Sequence, residues 1–365
     1  DAETVRGNDG PGQDPPQFHG RSTMKVISLR TKTGKCRIEL GVPVTAVGQA
    51  FRGRRAIAVT DSRVRKLYGD RFPHLESIDI TASESAKTLD TVTRIYDGFL
   101  ESGVDRATVI VAIGGGVTLD VAGFAASTFL RGLPFVYVPT TLLAQADAAV
   151  GGKNGVNHRG YKNMAGVFAQ PERVMCDHSL LATLDDRDRR NGLVEIIKHA
   201  VIGDERLFSF LEDHASEMMA LDAAFTREAV FASLSVKAAI VYRDEREGGL
   251  RRKLNLGHTI GHALEKVHRI PHGDAVGVGL GFAARLSNRL GRLSDTNTRR
   301  ILDLIGRLEP PAAPSGKREA LKEAVGRDKK REGSKIHFVL PEAIGRCVTE
   351  EIPLGQLEEA IDDLC

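Results

Sequence analysis

Three histidines and one glutamate carry the most chemistry legible in this chain. The run Lys253-Leu-Asn255-Leu-Gly-His258-Thr-Ile-Gly-His262 sets two imidazoles four residues apart, one above the other on a helix face. Pro271-His272-Gly273 adds a third in a turn ten residues on. Upstream, Val194-Glu195-Ile-Ile-Lys198 places a carboxylate and an ammonium on one helical face among apolar neighbours. One Glu with two His is a ligand set of catalytic zinc, which leaves a position open for substrate. A His-x3-His pair also occurs as no more than a polar helix face. Here a glycine precedes each histidine of the pair and leaves room for a ligand or a backbone, and Glu195 adds a third ligand type. The spacing leaves open which two of the three histidines would ligate. A His-Glu-x-x-His motif is absent, so the metalloprotease pattern is excluded.

A second group lies earlier. Gly114-Gly115-Gly116-Val-Thr-Leu-Asp120 follows an apolar run and suits a phosphate cradle, because glycines let backbone N–H groups approach an anion at a helix N-terminus. It is not the G-x-G-x-x-G fingerprint, and a tight strand-to-helix turn explains it equally well. Ser83-Glu84-Ser85-Ala86-Lys87 reads as a capping motif or a solvated turn. In Pro139-Thr140-Thr141 through Asp147, Gly151-Gly152-Lys153 and Asn157, the polar residues form no helical stripe. Asp147 and Lys153 bracket a Val-Gly-Gly turn, and Lys162-Asn163 adds a cation and an amide that would suit a phosphate or a ribose.

These groups need a scaffold. At 365 residues two domains are the default. Hydrophobic residues at 41% and charged residues at 27% are ordinary for a soluble globular chain. A formal charge of +3, no Trp and 5% aromatics argue against nucleic acid as a partner. Cys36, Cys176, Cys347 and Cys365 form no C-x-x-C pair and read as reduced thiols in a cytoplasmic protein. No apolar run approaches the length of a membrane span. The first 23 residues, without a signal peptide's apolar core, read as a disordered extension or expression remnant ahead of Met24.

Residues 25–40 alternate around Thr33-Gly34, which predicts a hairpin. Short apolar runs at 55–60, 107–113 and 134–139, separated by helical patterns, predict a parallel sheet with helices on its faces. Ligands gather at the carboxyl ends of such strands, where Asp61, the glycine triplet and Thr140-Thr141 fall. After about 180 helical periodicity dominates, including 223–242 and 256–267, and Lys335–Leu340 with Cys347–Glu350 predicts a late hairpin. The expected architecture is α/β: a Rossmann-like parallel-sheet domain over 24–180, then a mainly α-helical domain over 181–365.

In order along the chain, the run Gly114–Asn163, Gly192-Leu-Val-Glu195-Ile-Ile-Lys198, Asp244-Glu-Arg-Glu247, Leu254-Asn-Leu-Gly-His-Thr-Ile-Gly-His262 and Arg327-Asp-Lys-Lys330 closely resemble the 3-dehydroquinate synthases of the sugar-phosphate cyclase superfamily. The resemblance covers nearly everything from Met24 onward. It implies a tightly held NAD, one divalent metal ion (zinc or cobalt), a sugar-phosphate substrate and a homodimer. It implies metal ligation by Glu195, His258 and His272, with His262 turned to the substrate phosphate. NAD contacts carry over to Asp61, Glu84, Lys87, Gly115, Gly116, Asp120, Thr140, Thr141, Asp147, Lys153, Lys162, Asn163 and Thr183. Arg131 from a neighbouring subunit, Lys153, Asn163, Asn255, His262 and Lys329 (or Lys330) match positions around the substrate. Catalytic roles fall on Asp147, Lys153, Glu195, Lys198, Asn255 and His262.

The superfamily also contains cyclases whose substrates lack a carboxylate. The resemblance implies that dehydroquinate synthases hold their substrate's carboxylate with a Lys and an Arg. Lys237 and Arg251 stand at the family's spacing from Asn255, and two cations converging on one planar anion are costly to bury without it. That favours 3-deoxy-arabino-heptulosonate 7-phosphate, turned into 3-dehydroquinate and phosphate by transient oxidation, elimination, re-reduction and aldol closure. The chain departs from the usual pattern with Ala146-Asp147-Ala148-Ala149, Asn154, Val194 and a short loop from His262 to His272, none of which removes a functional group. The alternatives are an aminodehydroquinate synthase or a sedoheptulose 7-phosphate cyclase. A metal-dependent polyol dehydrogenase would need no phosphate and carboxylate grip, and a non-catalytic sugar-phosphate-binding regulator would need no redox site.

Overall fold

In the computed structural model the described residues are 3–5, 24–51, 53–72, 75–309, 316–326, 331–332 and 335–364. They fall into two compact units, Asp1–Thr183 and Leu184–Cys365. In the first unit the strands are β1 (Glu3–Val5), β2 (Lys25–Arg30), β3 (Lys35–Leu40), β4 (Ala56–Asp61), β5 (Glu76–Ile80), β6 (Val109–Gly114), β7 (Phe135–Pro139), β8 (Lys153–His158), β9 (Tyr161–Phe168) and β10 (Arg173–Cys176). Its helices are α1 (Ser62–Tyr68), α2 (Leu89–Glu101) and α3 (Gly116–Thr128).

Eight strands make one sheet in the order β1-β2-β3-β10-β7-β6-β4-β5. Its β6, buried at every residue, is the apolar run 107–113 of the sequence and lies between β4 and β7, parallel to both. The predicted hairpin is present as antiparallel β2–β3, and it is built into the same sheet because β3 pairs parallel with β10. The sheet is therefore mixed at that pair rather than wholly parallel. Val109, Val111, Ile113, Val136, Val138 and Met175 cover one face with Val44 and Val47. Of the expected extension over 1–23, Glu3–Val5 pairs parallel with β2, and 6–23 lie outside the described residues.

β8 and β9 form a separate antiparallel hairpin against α3. This explains why the polar stretch after Pro139 shows no helical stripe. Asn154, a departure from the family's usual residue, is buried in it: Oδ1 accepts from the Tyr137 hydroxyl and Nδ2 donates to Ala169 O at 2.9 Å. A Cβ on Gly123 would meet that hydroxyl at 1.8 Å, so the glycine makes room for the pair.

The second unit contains α4 (Asp186–Gly203), α5 (Glu205–Met219), α6 (Ala223–Arg243), α7 (His258–His268), α8 (His272–Arg289), α9 (Asp295–Gly306), α10 (Arg318–Gly326), β11 (Arg331–Glu332), β12 (Lys335–Ala343), β13 (Arg346–Pro353) and α11 (Leu354–Leu364). The predicted late hairpin is β12–β13, antiparallel, with β11 added at its edge. The middle of this unit is α8, which packs on both α4 and α7. Among the described residues no helix is long and apolar enough to cross a membrane.

Candidate active site

The histidines meet because two helices approach unusually closely. Gly257 starts α7 at φ +77, and a Cβ there would lie 2.9 Å from Leu280 N and 3.0 Å from Val276 O of α8. Gly261, one turn on, would meet Ala275 O at 3.2 Å. The glycines before His258 and His262 thus admit the backbone of α8, which brings its first residue, His272, beside them. Ring centroids are 5.4 Å apart for His258 and His272, and 5.3 Å for His258 and His262.

On α4, Glu195 and Lys198 are buried to 0% and 1% exposure and paired, Lys198 Nζ donating to Glu195 Oε2. The other oxygen, Oε1, faces His272 Nε2 at 3.6 Å and His258 Nε2 at 3.8 Å. One donor atom from each of Glu195, His258 and His272 lies within 4.8 Å of the other two. Metal–ligand bonds of about 2.0–2.1 Å at tetrahedral angles put neighbouring donors about 3.3 Å apart, so a small contraction suits them to a divalent ion. The far side of each ring is already committed. His258 Nδ1 donates to Leu256 O at 3.1 Å, and His272 Nδ1 meets Glu265 Oε1 at 2.5 Å. Protons held on Nδ1 leave Nε2 as the ligating atom, the arrangement that outer partners impose on metal-bound histidine.

Electrostatics agree. Burial holds the His258 imidazole well below its ordinary value, and the Lys198 charge adds to this, so the ring is neutral as a ligand must be. Burial also pulls His272 down, but hydrogen bonds to Glu195 and Glu265 more than reverse it and raise it to about 9. Two carboxylates favour positive charge at this point, and a divalent ion between Glu195 and the rings would supply it. Glu265 has a role the sequence reading missed; its signal is a carboxylate three residues after His262, on the same helix face. Glu265→Gln should weaken metal binding about 10- to 100-fold, the usual cost of losing an outer-shell partner. Competition with a chelator measures it, and unchanged affinity removes Glu265 from the site.

In the same unit, Lys237 on α6 and Arg251 on the 3-10 segment Leu250–Asn255 are 6% and 2% exposed. Asn255 donates through Nδ2 to Glu247 Oε1 at 2.6 Å. Glu247 is also absent from the candidate residues read from the sequence, although it stands in a motif that carries the resemblance. Lys329 and Lys330 lie outside the described residues.

In the first unit, Asp61, Gly114 and Pro139 close the carboxyl ends of β4, β6 and β7. Gly115 caps α3 without a side-chain hydrogen bond, so the first-turn N–H groups of this 13-residue helix suit an anion. Lys87 is 5% exposed, and its Nζ donates to Asp120 Oδ2 at 2.5 Å and Asn163 Oδ1 at 2.6 Å, joining three of the NAD candidates. Asn157 joins the same group, donating to Glu84 Oε1 at 2.8 Å and accepting from Asn163 N at 2.9 Å. Other candidates also serve the local fold. Ser83 Oγ accepts from Ala86 N, as the capping reading expects, Asp61 caps α1 through Arg63 N, and Thr141 Oγ1 accepts from Ala144 N. The Tyr68 hydroxyl donates to Leu180 O, so the Thr183 hydroxyl, 2.9 Å away, donates to Tyr68. Gly116 opens α3, Thr140 is buried, Asp147 sits in a π-helical turn (Ala144–Ala148), and Lys153, Lys162 and Arg131 are exposed.

The family model for the 3-dehydroquinate synthase N-terminal part matches residues 77–191, and the model for its C-terminal part matches 192–331. A 3-dehydroquinate synthase from Geotalea uraniireducens is 42% identical over 309 residues, covering 80% of this chain and 85% of that protein. The chain belongs to the 3-dehydroquinate synthase family. Related cyclases share the fold of this family member. A 2-epi-5-epi-valiolone synthase from Streptomyces hygroscopicus subsp. jinggangensis, with NAD+ and Zn2+ bound, superposes with a TM-score of 0.82 at 29% identity, over 90% of this chain and 96% of that one. A 2-deoxy-scyllo-inosose synthase complexed with carbaglucose-6-phosphate, NAD+ and Co2+ gives 0.80 at 25% identity, over 93% and 100%.

Proposed function

We propose that this 3-dehydroquinate synthase family member converts 3-deoxy-arabino-heptulosonate 7-phosphate into 3-dehydroquinate and inorganic phosphate. It would act as a phosphate-eliminating carbon–oxygen lyase that needs NAD and a divalent ion, zinc or cobalt, and works as a cytoplasmic homodimer. The observation that carries the reading is the Glu195–His258–His272 cluster, whose ligating atoms converge while the opposite ring nitrogens are already held.

When bound, the nicotinamide accepts and returns a hydride, and the divalent ion acidifies a substrate hydroxyl. The remaining work falls to side chains. Glu195, His258 and His272 would hold the ion, and Lys198, which donates to Glu195 Oε2, keeps Oε1 aimed at the rings. Asp61, Glu84, Lys87, Gly115, Gly116, Asp120, Thr140, Thr141, Lys162 and Thr183 would hold NAD, and the uncapped α3 N-terminus would offer its N–H groups to an anionic part of it. Lys87 fixes Asp120 and Asn163 relative to each other. Asp147 orients substrate hydroxyls near the nicotinamide. Lys153, Asn163, Asn255, His262 and Lys329 grip the phosphate, with Arg131 supplied by a second copy of the chain. Lys237 and Arg251, both buried, grip the carboxylate by charge-assisted hydrogen bonds, as their match to the family's carboxylate-holding positions implies. Holding one substrate through every step lets orientation replace a series of separate bases.

Phosphate release should occur with the heptulosonate phosphate, stop on chelation and return with added zinc or cobalt. Faster release from sedoheptulose 7-phosphate would move the protein to the carboxylate-free branch. NAD should be required yet show no net change, because hydride leaves and returns on one bound substrate. Steady growth of NADH absorbance during turnover would instead mark a polyol dehydrogenase.

A further inference from the structure

Lys237 and Arg251 sit on two elements joined by a short loop: α6 ends at Arg243, and the 3-10 segment carrying Arg251 begins at Leu250. That loop contains Gly248 and Gly249, both exposed, and glycines give a loop the widest backbone freedom. One carboxylate removes it. Asp244, at the end of α6, takes three backbone N–H donors: Oδ1 accepts from Gly248 at 2.9 Å, and Oδ2 accepts from Gly249 at 2.8 Å and from Arg251 at 2.9 Å. The loop then serves the site twice. Arg251 Nη1 donates to the Glu245 carbonyl, which aims the guanidinium, and Glu247, held at φ +63, receives Asn255 Nδ2. Burial pushes the Asp244 carboxyl up, and the three backbone donors with the Arg251 charge bring it below its ordinary value. It is therefore an acceptor-only carboxylate at neutral pH, as three donors demand.

We propose that Asp244 is a positioning residue for the substrate carboxylate: by clamping the 245–251 loop it fixes the Arg251 guanidinium relative to the helix that carries Lys237, and so sets the preference for a carboxylate-bearing sugar phosphate. The inference rests on the carboxylate role proposed above for Lys237 and Arg251. Asp244 itself touches no substrate; it acts through Arg251.

Asp244→Asn keeps the shape but turns one accepting oxygen into a donor, which opens one side of the clamp. KM for the heptulosonate phosphate should rise roughly tenfold or more, in line with misaligning one hydrogen bond to a charged group, while kcat changes less. NAD affinity and metal content should stay at wild-type values. In an Arg251→Ala background the same change should add less than about twofold, because residues acting through one contact are not additive. Amide exchange at Gly249 and Arg251 in the resting protein should quicken while α7 keeps its protection, which also shows that the variant is folded. Asp244→Ser is the second variant and should move KM the same way. Unchanged KM with an active wild type, equal losses with and without Arg251, or unchanged exchange each overturns this inference alone. A wild type inactive on the heptulosonate phosphate overturns it together with the substrate reading.

Discussion

His258→Ala is expected to lose bound metal and all measurable phosphate release while remaining folded. The ring supplies Nε2 to the cluster 3.8 Å from Glu195 Oε1, and its removal leaves only Glu195 and His272 of the three. The loss should exceed the roughly 10- to 100-fold cost expected for an outer partner such as Glu265, because a ligand is removed outright. Folding should survive because His258 is half-buried at the start of α7, whose packing on α8 depends on Gly257 and Gly261 rather than on the imidazole. His262→Ala is the control. It should keep the metal and lose activity through the phosphate grip. Elemental analysis with a folding measurement decides: stoichiometric metal in His258→Ala, or metal lost from His262→Ala instead, would exchange the roles of the two histidines.

Arg251→Ala is expected to separate substrates rather than abolish all turnover. Arg251 is 2% exposed, and removing its guanidinium would leave a substrate carboxylate partly unpaired, a cost of about 1–3 kcal/mol. That corresponds to roughly 5- to 150-fold in kcat/KM for the heptulosonate phosphate. NAD affinity should be unchanged. A substrate without the carboxylate should lose far less. Equal losses for both substrate types would show that Arg251 supports the fold instead of reading the carboxylate.

Some of this was legible in the chain and some was not, and the division has a physical cause. Strands β4, β6 and β7 are continuous apolar runs, so their burial on both faces is written into composition. By contrast, β10 has only 4 residues, and β5 is a half-exposed edge strand whose pattern hardly differs from a loop. The β8–β9 hairpin packs on α3, yet it carries Lys153, Asn154, Asn157, Lys162 and Asn163, so its pattern does not read as a buried strand pair. Its buried order comes from pairs such as Tyr137 with Asn154, which are 17 residues apart and follow no local period.

The same division runs through the site. The sequence by itself determined the chemical inventory: one glutamate, three histidines, a set of cations, and a glycine turn after an apolar strand. Residue types and helical spacing are local properties, and motif order along the chain was enough to name the family. Only the tertiary structure decided how that inventory is arranged. The close approach of α7 and α8 brings His272 beside His258, and Glu195 reaches both from a third helix. Hydrogen bonds to Leu256 and Glu265 select which nitrogen of each ring is offered. The Lys87–Asp120–Asn163 network and the Asp244 clamp likewise depend on donor directions between segments that no spacing rule links. Hydrogen bonds require distance and angle together, and both exist only once the chain has folded.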